Sequence, residues 1–84
     1  MISICQIKAA RVLLDWTASE LSEKAGVGVA TIRRYETQTG LPQGNFQKVM
    51  KLKDVLETAG IEFTGDPLLN PGVTLHLSKG GDND

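Results

Sequence analysis

Two adjacent arginines, Arg33 and Arg34, are the side chains in this sequence best suited to recognition chemistry. A guanidinium group presents a planar fork of N–H donors that fits a phosphate or the two acceptors on the edge of guanine. The neighbouring outward positions of a predicted helix are Val29 and Ala30, whose small apolar side chains suit the methyl group of thymine. These residue types predict a helix that contacts a DNA groove. The competing interpretation is a solvated arginine pair on an ordinary helix.

Residues that could carry out catalysis are few. The chain has one histidine, His76, and one cysteine, Cys5, so it cannot assemble a Ser/His/Asp or Cys/His constellation or a cysteine-based metal site. His76 falls on the polar side of a predicted strand, which favours a surface or interface residue. Cys5 is predicted to be a small buried residue of the first helix. We therefore expect no enzyme activity, no metal and no cofactor.

The arginine pair lies on the second of two short predicted helices joined by a tight turn. Thr17 and Glu20 have the spacing of a capping box, so the second helix of the chain should run from about Ala18 to Lys24. Gly26 ends it, because glycine takes a positive φ without steric cost. The third helix should span about Val29 to Thr37. Five apolar side chains are spaced to close these two helices on each other: Leu21, Ala25, Val27, Ile32 and Tyr35.

Two further helices and a hairpin should hold this pair in place. Apolar residues at intervals of three and four predict a first helix from about Ser3 to Asp15 and a fourth that begins at its cap, Asn45, and ends at Gly60. At residues 61–64 and 73–77, apolar and polar residues alternate instead of recurring at the helical spacing, which predicts a two-stranded β-hairpin. The predicted fold class is mainly α, with four to five helices and a C-terminal hairpin. The apolar face of the fourth helix comprises Phe46, Val49, Leu52, Val55, Leu56 and Ala59.

These elements divide the chain into three parts. Residues 1–60 form a helical domain that contains the helix-turn-helix, residues 61–78 form a hairpin extension, and residues 79–84 form a flexible polar tail.

The hairpin leaves two arrangements open. Val73, Leu75 and Leu77 pack onto the fourth helix within one chain, or the strands pair with a second copy across a two-fold axis. The second arrangement is favoured, since a lone hairpin is marginal in water. It would make the hairpin a dimerisation element.

Charge is divided unevenly along the chain. The net charge is −1, yet residues 1–53 hold eight Lys and Arg against four Asp and Glu, whereas residues 54–84 hold one against six. A basic N-terminal part fits a protein with one face that meets phosphates.

The composition, 40% hydrophobic and 23% charged over 84 residues, is that of one small globular domain. With no apolar run able to span a membrane and no signal peptide, we expect a cytoplasmic protein.

Two segments carry a family resemblance. The sequence LSEKAGV at residues 21–27, followed by ATIRRYE at residues 30–36, is similar to the helix-turn-helix of Cro/XRE-type transcriptional regulators. The resemblance covers the four predicted helices. It implies a compact, repressor-like helical bundle that binds double-stranded DNA, usually as a homodimer, through the third helix. The segment AGIEF at residues 59–63, with PGVTL at residues 71–75, also resembles a subset of small bacterial regulators of this family.

The resemblance also implies roles for individual residues. By position, Val29, Ala30 and Arg34 are at base-contacting sites, and Arg33 is near bases or phosphate. An arginine of the first helix pairs with an acidic residue that ends the third helix in family members. The matching residues here are Arg11 and Glu36, which we expect to form a partly buried structural ion pair.

Three positions depart from the family pattern. Ala18 stands where many members have a phosphate-binding glutamine, Ser22 where a smaller alanine is usual, and Gly28 where Ser or Thr is common. Phosphate contacts are then expected from other groups: Thr17, Lys8, Lys24 and the Gln43–Gln47 segment, including the backbone at the start of the fourth helix.

The sequence thus favours a sequence-specific DNA-binding regulator that acts as a homodimer. A variant of this hypothesis is the antitoxin of a toxin–antitoxin pair, whose acidic C-terminal part binds a basic toxin. The alternative class is a protein-interaction module or adapter that keeps the helical fold without binding DNA. In both cases a protein partner is possible.

Overall fold

The computed structural model describes residues 2–77 and shows four helices followed by a two-stranded antiparallel hairpin. The helices are α1 (Ile4–Leu13), α2 (Ala18–Ala25), α3 (Val29–Glu36) and α4 (Phe46–Thr58), and the strands are β1 (Ile61–Thr64) and β2 (Gly72–Leu75). The predicted fold class is confirmed. The predicted tail at 79–84 lies outside the described residues. No helix in the described part of the chain is long and apolar enough to cross a membrane.

The end of α1 differs from the prediction. Asp15 has a left-handed backbone with φ of 60°. The amides of Asp15 and Trp16 donate to the carbonyls of Val12 and Arg11 at 2.9 and 3.1 Å. This pattern is a Schellman motif in which aspartate takes the position that glycine usually occupies. The helix therefore stops at Leu13, two residues before the predicted end.

All four helices and β1 contribute side chains to one buried core. The five residues predicted to close α2 on α3 are all buried. One prediction of burial is wrong. Cys5 is exposed, because the helical repeat turns it away from the buried Ile4 and Ile7. Phe46, at the start of the apolar face of α4, is also exposed, since burial along this helix begins one turn later at Val49. The core residues are Ile2, Ile4, Ile7, Ala10, Leu21, Ala25, Val27, Ile32, Tyr35, Val49, Leu52, Leu56 and Ile61.

The hairpin packs within the chain on two helices, β1 against α4 and β2 against α1. Its register pairs Ile61 with Leu75 and Thr64 with Gly72. The buried Gln6 fastens it to α1, since its Nε2 donates to the carbonyls of Thr64 at 3.1 Å and Gly72 at 2.9 Å. One of the two predicted arrangements placed the second strand on the fourth helix within the chain, whereas the structure shows it against α1.

The junction between α4 and β1 requires glycine. Gly60 has a φ of 110°, and its carbonyl accepts a hydrogen bond from the His76 amide at 2.8 Å. A Cβ at this position would lie 2.8 Å from the His76 carbonyl oxygen. Any larger residue would push β2 away from the start of β1. Gly60 therefore sets how closely the hairpin follows α4.

Candidate nucleic-acid interface

α2 begins at a reciprocal pair of hydrogen bonds. The Glu20 amide donates to Thr17 Oγ1 at 3.0 Å, and the Thr17 amide donates to Glu20 Oε1 at 2.8 Å. This capping box fixes the start of α2 at Ala18. It also occupies the Thr17 amide. The hydroxyl proton is thus the donor that Thr17 retains for a phosphate, with the Glu20 carboxylate beside it.

The turn between α2 and α3 depends on the backbone of Gly26. Its φ is 68°, and its amide donates to the Ser22 carbonyl at 2.9 Å. The Val27 amide donates to the same carbonyl at 3.3 Å, and the Val27 side chain is buried. A Cβ on Gly26 would meet no heavy atom within 4 Å. The backbone conformation, rather than a lack of space, therefore requires glycine here.

α3 starts without a side-chain cap. Gly28 occupies the N-cap, and its carbonyl accepts from the amides of Thr31 at 3.0 Å and Ile32 at 3.2 Å. The amides of Val29 and Ala30 have no acceptor among residues 2–77. Two N–H groups at the positive end of the helix are thus open to an external acceptor such as a phosphate or a base.

The outward side of α3 is an exposed stripe with both arginines on it. Ile32 and Tyr35 are buried beneath the helix, and Val29 is half-buried at its start. Within the described part of the chain, Arg33 and Arg34 make no salt bridge. Their guanidinium donors are therefore available to a ligand. The stripe comprises Ala30, Arg33, Arg34 and Thr37.

Thr37 was not predicted as a site residue. Its hydroxyl donates to the Arg34 carbonyl at 2.7 Å, which closes the last turn of α3. Its spacing of four residues from Arg33 places it on the same face as the arginines. The same spacing is visible in the sequence and could have assigned Thr37 to the outward face of α3. It was missed because Thr37 was considered only as the predicted last residue of the helix.

Arg11 and Glu36, the pair implied by the family resemblance, meet in the structure. Arg11 Nε donates to Glu36 Oε2 at 2.8 Å, and Nη2 donates to Oε1 at 2.9 Å. Arg11 Nη1 also donates to the Trp16 carbonyl at 2.7 Å. The two side chains are only 15% and 12% exposed. One arginine thereby joins α1, the α1–α2 linker and the end of α3.

Electrostatics reinforce this contact. Hydrogen bonding to Glu36 raises the pKa of Arg11. Burial of the guanidinium lowers this pKa in part, and the Coulombic attraction of the Glu36 carboxylate raises it further. The guanidinium is therefore charged at every pH at which the protein would be studied. The orientation of α3 is held by a charged and geometrically fixed pair rather than by apolar packing alone.

Lys24, one of the side chains predicted to contact phosphate, lies over the ring of Trp16. Its Nζ is 5.0 Å from the ring centroid, within the range of a cation–π interaction. The two side chains line a groove together with Asp54 and Val55 of α4. Lys24 is therefore engaged on the α4 side of the bundle, which leaves Lys8, also exposed, as the other predicted lysine.

The start of α4 is also a place for an anion. Asn45 Oδ1 accepts from the amides of Gln47 at 2.9 Å and Lys48 at 3.3 Å. The Phe46 amide has no acceptor within residues 2–77. The hydroxyl of the buried Tyr35 points toward this turn, 3.8 Å from where a Cβ on Gly44 would lie. The free amide at the positive end of α4 supports the predicted phosphate contact in the Gln43–Gln47 segment.

Comparison with known proteins identifies this arrangement. A family model described as helix-turn-helix matches residues 7–52, more than half of the chain. The match begins within α1 and ends within α4, so it spans the helix pair and both helices that position it. It stops before the hairpin. No curated protein matches the chain.

Proposed function

Because the chain belongs to the Cro/C1/XRE-type helix-turn-helix family of DNA-binding regulators, we propose that it is a sequence-specific transcriptional regulator whose α3 lies in the major groove. The observation that carries the proposal is the exposed stripe of α3, whose two arginines form no ion pair with any other residue in the range 2–77. A helix of this kind contacts base edges with its outward side chains. We also propose a cytoplasmic location, which is the expected one for a regulator of this family.

Arg34 is proposed as the principal base contact. A guanidinium fork donates to both O6 and N7 of guanine, which the other base pairs do not offer in the same arrangement. Val29 and Ala30, in the first turn of α3, suit thymine methyl groups and add a less selective contact. Arg33, one position earlier than Arg34 and on the same stripe, donates to a base or to a phosphate. Thr37 extends the exposed stripe of α3 toward the sugar-phosphate backbone of the DNA.

Phosphate contacts position the helix without reading sequence. We assign them to donors on both sides of α3. On one side stands the Thr17 hydroxyl, and on the other the open amide of Phe46 at the start of α4. The Glu20 carboxylate next to Thr17 repels phosphate and weakens the first of these contacts. The α4 side is therefore the stronger anchor in this protein, since Ala18 replaces the glutamine common in the family.

We further propose that the protein acts as a homodimer on two half-sites. One α3 covers only a few base pairs, and family members commonly gain affinity by placing two recognition helices about one DNA turn apart. A two-fold symmetric protein dimer matches a palindromic site.

Binding to a random-sequence duplex across a salt series tests the proposal. A protein that neutralises phosphates loses affinity steeply with rising salt, with a slope set by the number of phosphates contacted. Arg33→Ala should flatten the slope if Arg33 contacts phosphate. Lys53→Ala is the matched control, because that cation lies away from α3 on α4 and is already paired with Glu57 at 3.0 Å. Undetectable binding at low salt would contradict the proposal and favour a protein-interaction module.

A further inference from the structure

A groove lies between the α1–α2 linker, the end of α2 and the second half of α4. The space in it is about 350 Å³, within the range of about 300–1,000 Å³ typical of small-molecule sites. None of its lining residues belongs to α3, so a ligand here binds apart from the arginine stripe. We call it the Trp16 groove: Trp16, Lys24, Asp54, Val55, Thr58 and Ala59.

The apolar part of the Trp16 groove comes from the linker and from one side of α4. Val55 and Ala59 are four residues apart, so they lie on the same side of that helix. Trp16 and Val55 pack against the core, yet all three side chains are only partly buried. The groove therefore leaves apolar surface in contact with water, and a ligand with an apolar body would remove that surface from water.

Two opposite charges border this apolar surface, and they come from different helices. The Lys24 ammonium belongs to the last turn of α2, and the Asp54 carboxylate belongs to α4. Within residues 2–77 neither group forms a salt bridge, with the other or with a third residue. Lys24 Nζ lies over the Trp16 ring, 5.0 Å from its centroid. An ammonium group has three N–H donors, so this contact leaves donors for the oxygen of a ligand.

Two other grooves on the molecule lack this combination. One of about 230 Å³ is lined by Cys5, Gln6, Ala9, Pro71, Gly72 and Val73. Another of about 420 Å³ is lined by Leu13, Leu14, Ala59, Leu75, His76 and Leu77. Neither lining includes Lys, Arg, Asp or Glu. An apolar surface bordered by both signs of charge thus distinguishes the Trp16 groove from them.

We propose that the Trp16 groove binds a small zwitterion with an apolar body, the class to which the apolar α-amino acids belong. The ligand carboxylate accepts from Lys24 Nζ, and the ligand ammonium donates to the Asp54 carboxylate. The apolar body covers Val55, Ala59 and Trp16. Charge complementarity selects this class, because an apolar acid leaves Asp54 without a partner and an apolar amine leaves Lys24 without one. Each end then forms a charge-assisted hydrogen bond, which is stronger than a neutral one.

Trp16 also connects the groove to the contact that holds α3. Its carbonyl accepts from Arg11 Nη1 at 2.7 Å, and Arg11 in turn donates to both carboxylate oxygens of Glu36 at the end of α3. A ligand that spans α2 and α4 requires the folded arrangement of the linker between α1 and α2. Such a ligand binds the folded chain only and raises the temperature at which it unfolds.

Fluorescence of Trp16, the only tryptophan of the chain, reports binding directly. L-Phenylalanine and L-leucine are the probes. Phenylpropionate and phenethylamine are the matched analogues of L-phenylalanine, the first without the ammonium and the second without the carboxylate. We expect a saturable change with both amino acids and a dissociation constant at least about tenfold higher for each analogue, since each loses one charge-assisted hydrogen bond. No saturable change with either amino acid, or an analogue that binds as tightly as L-phenylalanine, would overturn the proposal.

Substitutions at the two charged residues test the assignment of the site. Lys24→Met and Asp54→Asn should each raise the dissociation constant of L-phenylalanine by about tenfold. Lys51→Met and Glu57→Gln are the matched controls, because both residues are exposed on α4 and neither lines the groove. Circular dichroism of each variant checks that the fold is retained. Controls that weaken binding as much as the groove variants, or a wild-type unfolding midpoint that saturating L-phenylalanine does not raise, would overturn the proposal.

Amide chemical shifts locate the ligand independently of its affinity. Addition of L-phenylalanine should move the signals of Trp16, Lys24 and residues 54–59 most. Changes centred on Arg33 and Arg34 would mean that the carboxylate binds the stripe of α3, and would overturn the proposal. None of these measurements involves DNA. A protein that binds L-phenylalanine in the groove but binds no DNA keeps this site and refutes the proposed function alone.

Discussion

The contact between Arg11 and Glu36 gives the most detailed stability prediction. Arg11→Met keeps an unbranched stem of similar length but removes the hydrogen bonds to both carboxylate oxygens and to the Trp16 carbonyl. The Glu36 carboxylate, only 12% exposed, then has no cationic partner. A hydrogen bond to a charged group contributes about 1.5–3 kcal/mol, and breaking a fully buried pair costs about 3–5 kcal/mol. For this partly buried pair we expect a loss of about 3 kcal/mol.

A double-mutant cycle isolates the pair from the other effects of each substitution. Glu36→Gln retains the shape and one acceptor, so we expect a loss of about 2 kcal/mol. The coupling energy between the two substitutions should be about 2 kcal/mol, because the residues share one network. A small domain is stable by about 5–15 kcal/mol, so both variants should fold.

Urea unfolding followed by fluorescence of Trp16, the only tryptophan, and by circular dichroism measures these values. The control is a second cycle on Lys53 and Glu57, an exposed pair one helical turn apart on α4. Its coupling should not exceed about 0.5 kcal/mol. A coupling for Arg11 and Glu36 no larger than this control would refute the claim that the pair fixes α3. Because folding raises the pKa of Arg11, its contribution is fully present below the pKa of the unfolded chain and is lost as the pH rises through the pKa of the folded protein.

Other predictions concern the turn and the hairpin. Gly26→Ala should destabilise the protein by about 1–2 kcal/mol in urea unfolding, since alanine pays a steric penalty at positive φ. Gly28→Ser should instead stabilise it by a few tenths of a kcal/mol by capping α3, and a loss larger than that of Gly26→Ala would contradict the assignment of the turn. Gln6→Ala should cost about 2 kcal/mol and speed hydrogen exchange in β1 and β2 more than in α2, because two partly buried carbonyls lose a donor. Uniform exchange across the molecule would refute this role.

Much of the fold could be predicted because its determinants are local. The capping box at Thr17, the stop at Gly26 and the cap at Asn45 each act within a few residues, and each helix start agrees with the structure to within one residue. The family and the fold class are confirmed. The end of α1 was missed because aspartate, rather than glycine, takes the left-handed position, a choice that composition does not signal.

Long-range contacts could not be predicted. The packing of β2 on α1 and the bonds from Gln6 to the strand ends join residues more than fifty positions apart, which periodicity does not encode. The exposure of Cys5 was missed for the same reason, since the side of α1 that is buried depends on the strands and helices that pack against it. Contacts of Thr17, Val29, Ala30, Arg33 and Arg34 with DNA remain predictions that need a complex to test them.

Base preference is the most direct test of the central claim that Arg34 reads DNA sequence through α3. Duplexes selected from a random library by the wild type should share a guanine at one fixed position of each half-site. Arg34→Ala should lose about 1–3 kcal/mol of discrimination at that position alone, and Arg34→Lys should lose discrimination while its salt dependence stays near that of the wild type. Selection of the same sequences by Arg34→Ala and the wild type would contradict the claim.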